Sequence, residues 1–237
     1  VIVLGMDTST TATAVALALA DGSVREVRDD PPAGAHPGHA TRLLQAAGSL
    51  ISGAGIGWGD IGRIGVGAGP GTFTGLRIGV ATARGLAQSL GAQLIAVPST
   101  AALALPALQA AAGAPVLACI DARRGEIFAA AYGPGVSELS HPCALAPELV
   151  LGSLEGDGLD AGGRAGMLAV GDGALRYRQQ LQESGIEVAP EDSPLHLLLA
   201  ESICRLAASA EPSRDYQLVL PDYRRRPDAE LALGGVA

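Results

Sequence analysis

The chain has 237 residues, enough for one large domain or two small ones with a real core; 48 % are hydrophobic but only 3 % aromatic, so Ala, Val, Leu and Ile must fill that core. All 16 basic side chains are arginine, which excludes a P-loop lysine, a Schiff-base lysine and a lysine general base. A formal net charge of −8 argues against a free-standing nucleic-acid binder.

"VIVLGMD" reads as a buried strand, "TATAVALALA" as a second and "SVREVR" as a more exposed third. After the turn-rich "DDPPAGAHPG", a helix is expected over about 38–53, with Leu43, Leu44, Ala47, Leu50 and Ile51 on one stripe. "RIGVGAG" is a strand, a helix follows from about 75 to 91, "AQLIAV" is a strand, and Ser99 is placed to cap a helix running to about 110. The pattern then restarts: "PVLACID" and "EIFAAAY" are strands around the turn "ARRG". Strand, Asp121, turn, strand repeats the opening strand, Asp7, "TSTT", strand, which suggests an internal duplication. The second half continues with a short helix at 147–154, a Gly- and Asp-rich stretch over 155–166 that reads as a flexible loop, and "MLAVGDGA" as strand and turn. "LRYRQQLQES" is a helix, Ser193 and Pro194 open a long apolar-faced helix over 194–211, and "LVLPDYRRRPDAE" is an extended strand with a basic knot.

The densest signal is "GAGPGTFTGLRIG". Gly69, Pro70, Gly71 and Thr72 fit a tight turn, and Thr72 or Thr74 is placed to cap the helix behind it. Orphan N–H groups at such a junction suit an anion, whereas Arg77 stands at the unfavourable end of the helix dipole. Phe73 and Gly75 complete the motif. Two readings stay open on the residues alone: an anion site, or close packing with Arg77 reaching a carboxylate. Asp7 with Thr8 and Ser9, and Asp121 with Gly125, sit at strand ends where an open sheet presents carboxylates to magnesium and turn amides to phosphate; the competing reading is that each aspartate caps its own turn. Gly171 and Gly173 of "VGDGA" are the candidates for a nucleotide-binding glycine pair.

His36 and His39 form an H-x-x-H without helical spacing or an evident third ligand, so no metal site is expected. Cys119, Cys143 and Cys204 are widely separated and read as inert thiols of a reducing cytosol. No nucleophile stands with a base that can be named, and no catalytic residue is assigned. No run approaches a membrane span and no charged leader precedes the first strand, so a cytoplasmic protein without a membrane partner is expected.

Taken together, "GMDTST", "GAGPGTFTGLRIG", "IDARRGEIF" and "PDYRRRPDA" resemble the TsaB (YeaZ) family in order through nearly the whole chain. Thr72 stands where serine is common, Arg224 where many members carry leucine, and 155–166 resembles an insertion. The resemblance implies an α/β fold of the duplicated actin/Hsp70-like (ASKHA, ribonuclease-H-like) class. Residues 1–100 would form one subdomain, with the helix 194–211 crossing back onto it, and 101–193 the other, with the tail 214–237. It implies a non-catalytic or weakly catalytic accessory subunit for forming N6-threonylcarbamoyladenosine at position 37 of tRNAs that read A-starting codons. Such a subunit pairs with TsaD, joined by TsaE, and meets tRNA only through the complex. The pairing helices would be 38–53 and 75–91, presenting Leu43, Ala47, Leu50, Ile78, Ala81, Gly85 and Ser89; the same helices could form a homodimer. No cofactor is expected for the chain by itself, with ATP or ADP and magnesium expected at or near the TsaD interface. The rival reading is an autonomous ATPase or small-molecule phosphotransferase on the same fold.

Overall fold

A computed structural model describes residues 1–32, 35–111, 113–213 and 215–224. The apolar opening forms β1 (Ile2–Asp7), flanked by β2 (Thr13–Ala18) and then β3 (Val24–Asp29), both antiparallel. Helix α1 (His39–Gly53) leads to β4 (Ile61–Gly69), which adds parallel to β1; α2 (Phe73–Leu90) leads to β5 (Gln93–Pro98), parallel to β4. The sheet order is therefore β3-β2-β1-β4-β5. Gly91, at φ +66°, ends α2 in the left-handed conformation that glycine takes without penalty.

Helix α3 (Ser99–Ala110) passes between the halves, and the plan repeats. β6 (Val116–Arg123) pairs antiparallel with β7 (Glu126–Gly133), which carries the short β8 (Ser137–Glu138) and β9 (Cys143–Leu145). After α4 (Val150–Gly156), β10 (Leu168–Val170) adds parallel to β6; after α5 (Asp172–Arg176) and α6 (Arg178–Glu183), β11 (Glu187–Val188) adds parallel to β10. Read from β8 to β11, the order β8-β7-β6-β10-β11 reproduces that of the first sheet, strand direction included. The chain is a duplicated α/β protein of the actin/Hsp70-like class.

Four expectations need correction. The long helix does not start at 194: Pro194–His196 is a single 3-10 turn, with Ser193 accepting from the Leu195 N–H, and α7 (Ala200–Ser209) begins only after an extended Leu197–Leu199. Glu26 of β3 fixes that start by accepting from the N–H groups of Ala200 (2.9 Å) and Glu201 (3.0 Å). The stretch 175–184 is two short helices broken at Tyr177. Residues 157–166 form turns pinned by buried Leu159 and by Arg164, which pairs with Glu155 at 3.1 Å. Finally, the tail is no strand among the described residues, and it packs on the first half: the Ser213 N–H reaches the Leu94 carbonyl, Val219 enters the core of the first sheet, and the Asp222 N–H reaches the Ala68 carbonyl. Arg225 and Arg226 of the basic knot lie outside the described residues; Arg224 pairs with Asp222. Among the described residues no helix is long and apolar enough to cross a membrane.

Candidate functional site

The glycine-rich motif is a socket for the loop that leaves β1. The Thr8 hydroxyl donates to the Gly75 carbonyl at 2.7 Å, and the Thr72 N–H donates to the Ser9 carbonyl at 2.7 Å. A Cβ at Gly67 would overlap the Asp7 carboxylate, and one at Gly75 would overlap the Thr8 carbonyl, so glycine is required by a packed side chain at the first and by a second backbone at the other. The Gly69–Pro70 peptide is cis. Thr72 holds the N-cap position of α2, but its hydroxyl makes no capping bond, and Thr74 is exposed in the first turn. Ser99, expected as a cap, lies inside α3 and turns to Asp7 instead.

Asp7 is 1 % exposed, and three donors converge on its carboxylate: the Ser9 N–H at 2.8 Å, the Ser9 hydroxyl at 2.7 Å and the Ser99 hydroxyl at 2.9 Å. Burial outweighs these donors and raises its pKa above the ordinary carboxylate value. Asp121 repeats the arrangement. Its Oδ1 accepts from the N–H two residues on, at Arg123 (2.9 Å), as Asp7 does from Ser9. Its Oδ2 meets the guanidinium groups of Arg123 (3.3 Å) and Arg176 (3.1 Å). Both aspartates thus bond within their own turns.

Gly125 sits with Arg124 in the two-residue turn between β6 and β7, both at positive φ, as a tight hairpin requires. Gly171 and Gly173 let the start of α5 lie against the backbone of Cys119 and Ile120. The aspartate between them, passed over in favour of its neighbours, is the residue the fold uses: Asp172 accepts from the Asp121 N–H at 3.0 Å, and burial raises its pKa. Asp172 also lines a cleft of about 200 Å³ between the halves, together with Thr10, Thr11, Arg28, Asp30 and His196. Arg28 is anchored to Asp30 and, across the cleft, to the Leu198 carbonyl.

Arg77 meets no carboxylate among the described residues. Its guanidinium lies 3.9 Å from the centre of the Phe73 ring, and its Nε donates to the Tyr223 hydroxyl at 3.0 Å. Phe73 and Tyr223 pack with ring centres 4.8 Å apart. Sequence reasoning missed Tyr223; the signal was that a chain with only 3 % aromatics places one beside its basic knot. His36 is exposed, while His39 opens α1 buried, its Nδ1 2.9 Å from the Thr13 hydroxyl and its pKa lowered by burial. Among the described residues no cluster of three or more His, Cys, Asp or Glu could hold a metal ion. Cys119 and Cys204 are buried, and burial pushes the Cys204 thiol up to about 12.

The expected partner face divides. Leu43, Ala47 and Leu50 are buried in the core between α1 and the first sheet, so an amphipathic helix has turned its apolar stripe inward. On α2 the stripe does face outward: Ala81, Gly85 and Ser89 are exposed and Ile78 is half-buried. A Cβ at Gly85 would meet nothing within 4 Å. Leu44, at 49 % exposure, is the large apolar side chain that α1 offers to solvent.

A family model described as "TsaD: tRNA N6-adenosine threonylcarbamoyltransferase" matches residues 31–233. The chain belongs to this family, on its TsaB (YeaZ) branch. It is 34 % identical over 152 residues to the tRNA threonylcarbamoyladenosine biosynthesis protein TsaB of Escherichia coli, covering 62 % of this chain and 64 % of that one. To the TsaB of Haemophilus influenzae it is 33 % identical over 125 residues, covering 53 % and 51 %. These matches span between half and two thirds of the relatives' lengths. The structure of YeaZ from Pseudomonas aeruginosa superposes with a TM-score of 0.75 at 27 % identity, covering 94 % of this chain and all of that one.

Proposed function

We propose that the chain is an accessory, non-catalytic subunit in the formation of N6-threonylcarbamoyladenosine at position 37 of tRNAs reading A-starting codons. Its direct partner is TsaD, it meets TsaE and tRNA through the complex, and ATP or ADP with magnesium belongs at or near the TsaD interface. The names of the TsaB relatives support the pathway. The observation that carries the subunit role is the state of the two strand-end aspartates. Each is at most 8 % exposed, with Oδ1 bonded inside its own turn and Oδ2 taken by Ser99 or by arginines, so among the described residues these two aspartates are not an open carboxylate pair for phosphoryl transfer. The glycine motif starts α2, whose exposed side, with Ala81, Gly85 and Ser89, would receive a helix of the partner.

The test is light scattering after size exclusion, on the chain alone and mixed with the TsaD of the same organism. A stable mixed complex is expected. Replacing Ala81 or Gly85 with Trp should abolish it while circular dichroism stays unchanged, because a bulky side chain placed in a close helix contact overpacks an interface and not the monomer's core. Separate elution of the two wild-type proteins would defeat the reading.

A further inference from the structure

Among the described residues one buried polar side-chain atom has no hydrogen-bond partner, Nε2 of His39. The residue is 3 % exposed and opens α1 behind Gly38, which supplies no side-chain cap. Its Nδ1 stands 2.9 Å from the hydroxyl of Thr13, the first residue of β2. In one neutral tautomer the Thr13 hydroxyl donates to Nδ1 and the Nε2–H lacks an acceptor; in the other Nδ1–H donates to the hydroxyl and a lone pair is left bare. The charged ring would carry two N–H donors, and the site bonds one of them. Residues 8–13, which lead into β2, hold no charged side chain. Asp29 of β3, the register partner of Thr13, and the Thr10 backbone favour the charged ring, but Asp29 also faces Arg42 of α1 at 3.8 Å. The first turn of α1 carries no acidic residue, so the positive end of the helix dipole stands unopposed against an imidazolium. Burial outweighs what favours the charge.

We propose that His39 is an acid-sensitive latch: its neutral ring fastens the first turn of α1 to β2, and a second proton on that ring releases the turn. The latch stands between α1 and the β1–β2 turn, whose Thr10 and Thr11 line the cleft between the halves. Release frays the start of α1 and loosens that turn, while Leu43, Ala47 and Leu50 keep the rest of the helix on the sheet. A histidine that is harder to protonate when folded adds its full stability above an unfolded pKa of about 6.5 and loses it as pH falls towards the folded value. That direction is opposite to the one set by the buried carboxyls of Asp7, Glu26 and Asp172. Global unfolding mixes the two, so the latch is measured at the first turn itself.

The experiment follows the full wild-type chain from about pH 7.5 down to about pH 5. In NMR spectra of the histidine rings, His39 should stay neutral to a lower pH than the exposed His36. Amide exchange read by mass spectrometry, corrected for the intrinsic change of rate with pH, should show residues 40–46 losing protection by about tenfold or more over that range. Residues 80–90 of α2 should hold theirs. His39→Gln, which takes up no proton, should abolish most of the pH dependence at 40–46, and His39→Phe, which fills the site without a titrating group, should do the same. Should neither variant fold, the wild-type titration and exchange decide alone. The proposal is overturned if 40–46 stay protected down to about pH 5, whether or not the ring charges, or if His39 titrates together with His36. It is overturned equally if either variant folds and loses protection on acidification as far as the wild type does.

Discussion

A buried carboxylate is tolerated where its oxygens find donors, and Asp7 finds three within 2.9 Å, from Ser9 and Ser99. Those donors have no other described acceptor for these bonds, so Asp7→Ala strands them in the interior and should cost about 2–4 kcal/mol by urea unfolding. Asp7→Asn keeps one acceptor oxygen and the same volume, and its loss should be less than half as large. An equal loss for both would mean that the negative charge, not the bonding, holds the loop. Asp7, Glu26 and Asp172 all have pKa values raised, in each case chiefly by burial. A carboxyl that binds its proton more tightly when folded adds stability below its unfolded pKa and loses it as pH rises through the folded value. These three groups therefore make the fold less stable on going from mildly acidic to neutral pH, the reverse of an ion-paired carboxylate. Calorimetry on Glu26→Gln should show a flatter decline in Tm between about pH 5 and pH 7 than the wild type shows. An unchanged slope would remove Glu26 from the account.

Among the elements, α7 shows how a helix from the end of the chain comes to lie on the first sheet. Gly5 and Gly65 are register partners on β1 and β4, and together they make a flat floor. A Cβ at Gly65 would come within 2.7 Å of the Ala207 methyl, and one at Gly5 within 2.7 Å of the Ala200 carbonyl and the Cys204 sulfur. Gly65→Val must lift the helix from that floor, and a loss of about 2–4 kcal/mol is expected in urea unfolding. A cost under about 1 kcal/mol would show that α7 slides without resistance. The same helix marks the limit of what the sequence discloses. Its apolar stripe is legible, as are α1, α2 and the strands, because each carries its own period. Its first turn is not legible: residues 197–199 could have been helical, but Glu26 and Arg28, some 170 positions earlier, take the N–H groups of Ala200 and Glu201 and the carbonyl of Leu198. The tail was misread for a related reason, since a strand needs an edge to pair with and, among the described residues, this stretch makes a single backbone bond to a strand, from the Asp222 N–H to the Ala68 carbonyl. Leu43, Ala47 and Leu50 were assigned to a partner, but one apolar stripe cannot serve both core and interface, and the sheet claims it. At the site itself, the aspartates and the glycine motif stood out by residue type; what they bond to was hidden because Ser99, Asp172 and Tyr223 arrive from distant elements.

At the scale of the whole molecule, two sheets that share the order of five strands belong to halves with a cleft between them. Here the cleft of about 200 Å³ is smaller than the roughly 300–1,000 Å³ typical of small-molecule pockets. Arg28 bridges it to Leu198, and neither Asp7 nor Asp121 lines it. To admit a nucleotide in this cleft, the protein would have to part that bridge, and ligand binding would have to offset the cost. The chain alone should therefore show no rise in Tm with about 5 mM ATP and magnesium, since a ligand stabilises by RT ln(1 + [L]/Kd) and a weak one contributes almost nothing. The mixture with TsaD should show a rise under the same conditions, because there the nucleotide is supplied with groups this chain keeps to itself. A rise of several degrees in the chain alone would mean that the cleft opens readily enough to take the nucleotide. Arg28→Ala should then enlarge the rise by removing the bridge, and the phosphotransferase reading would regain its footing; with the cleft closed, Arg28→Ala should leave the nucleotide response flat.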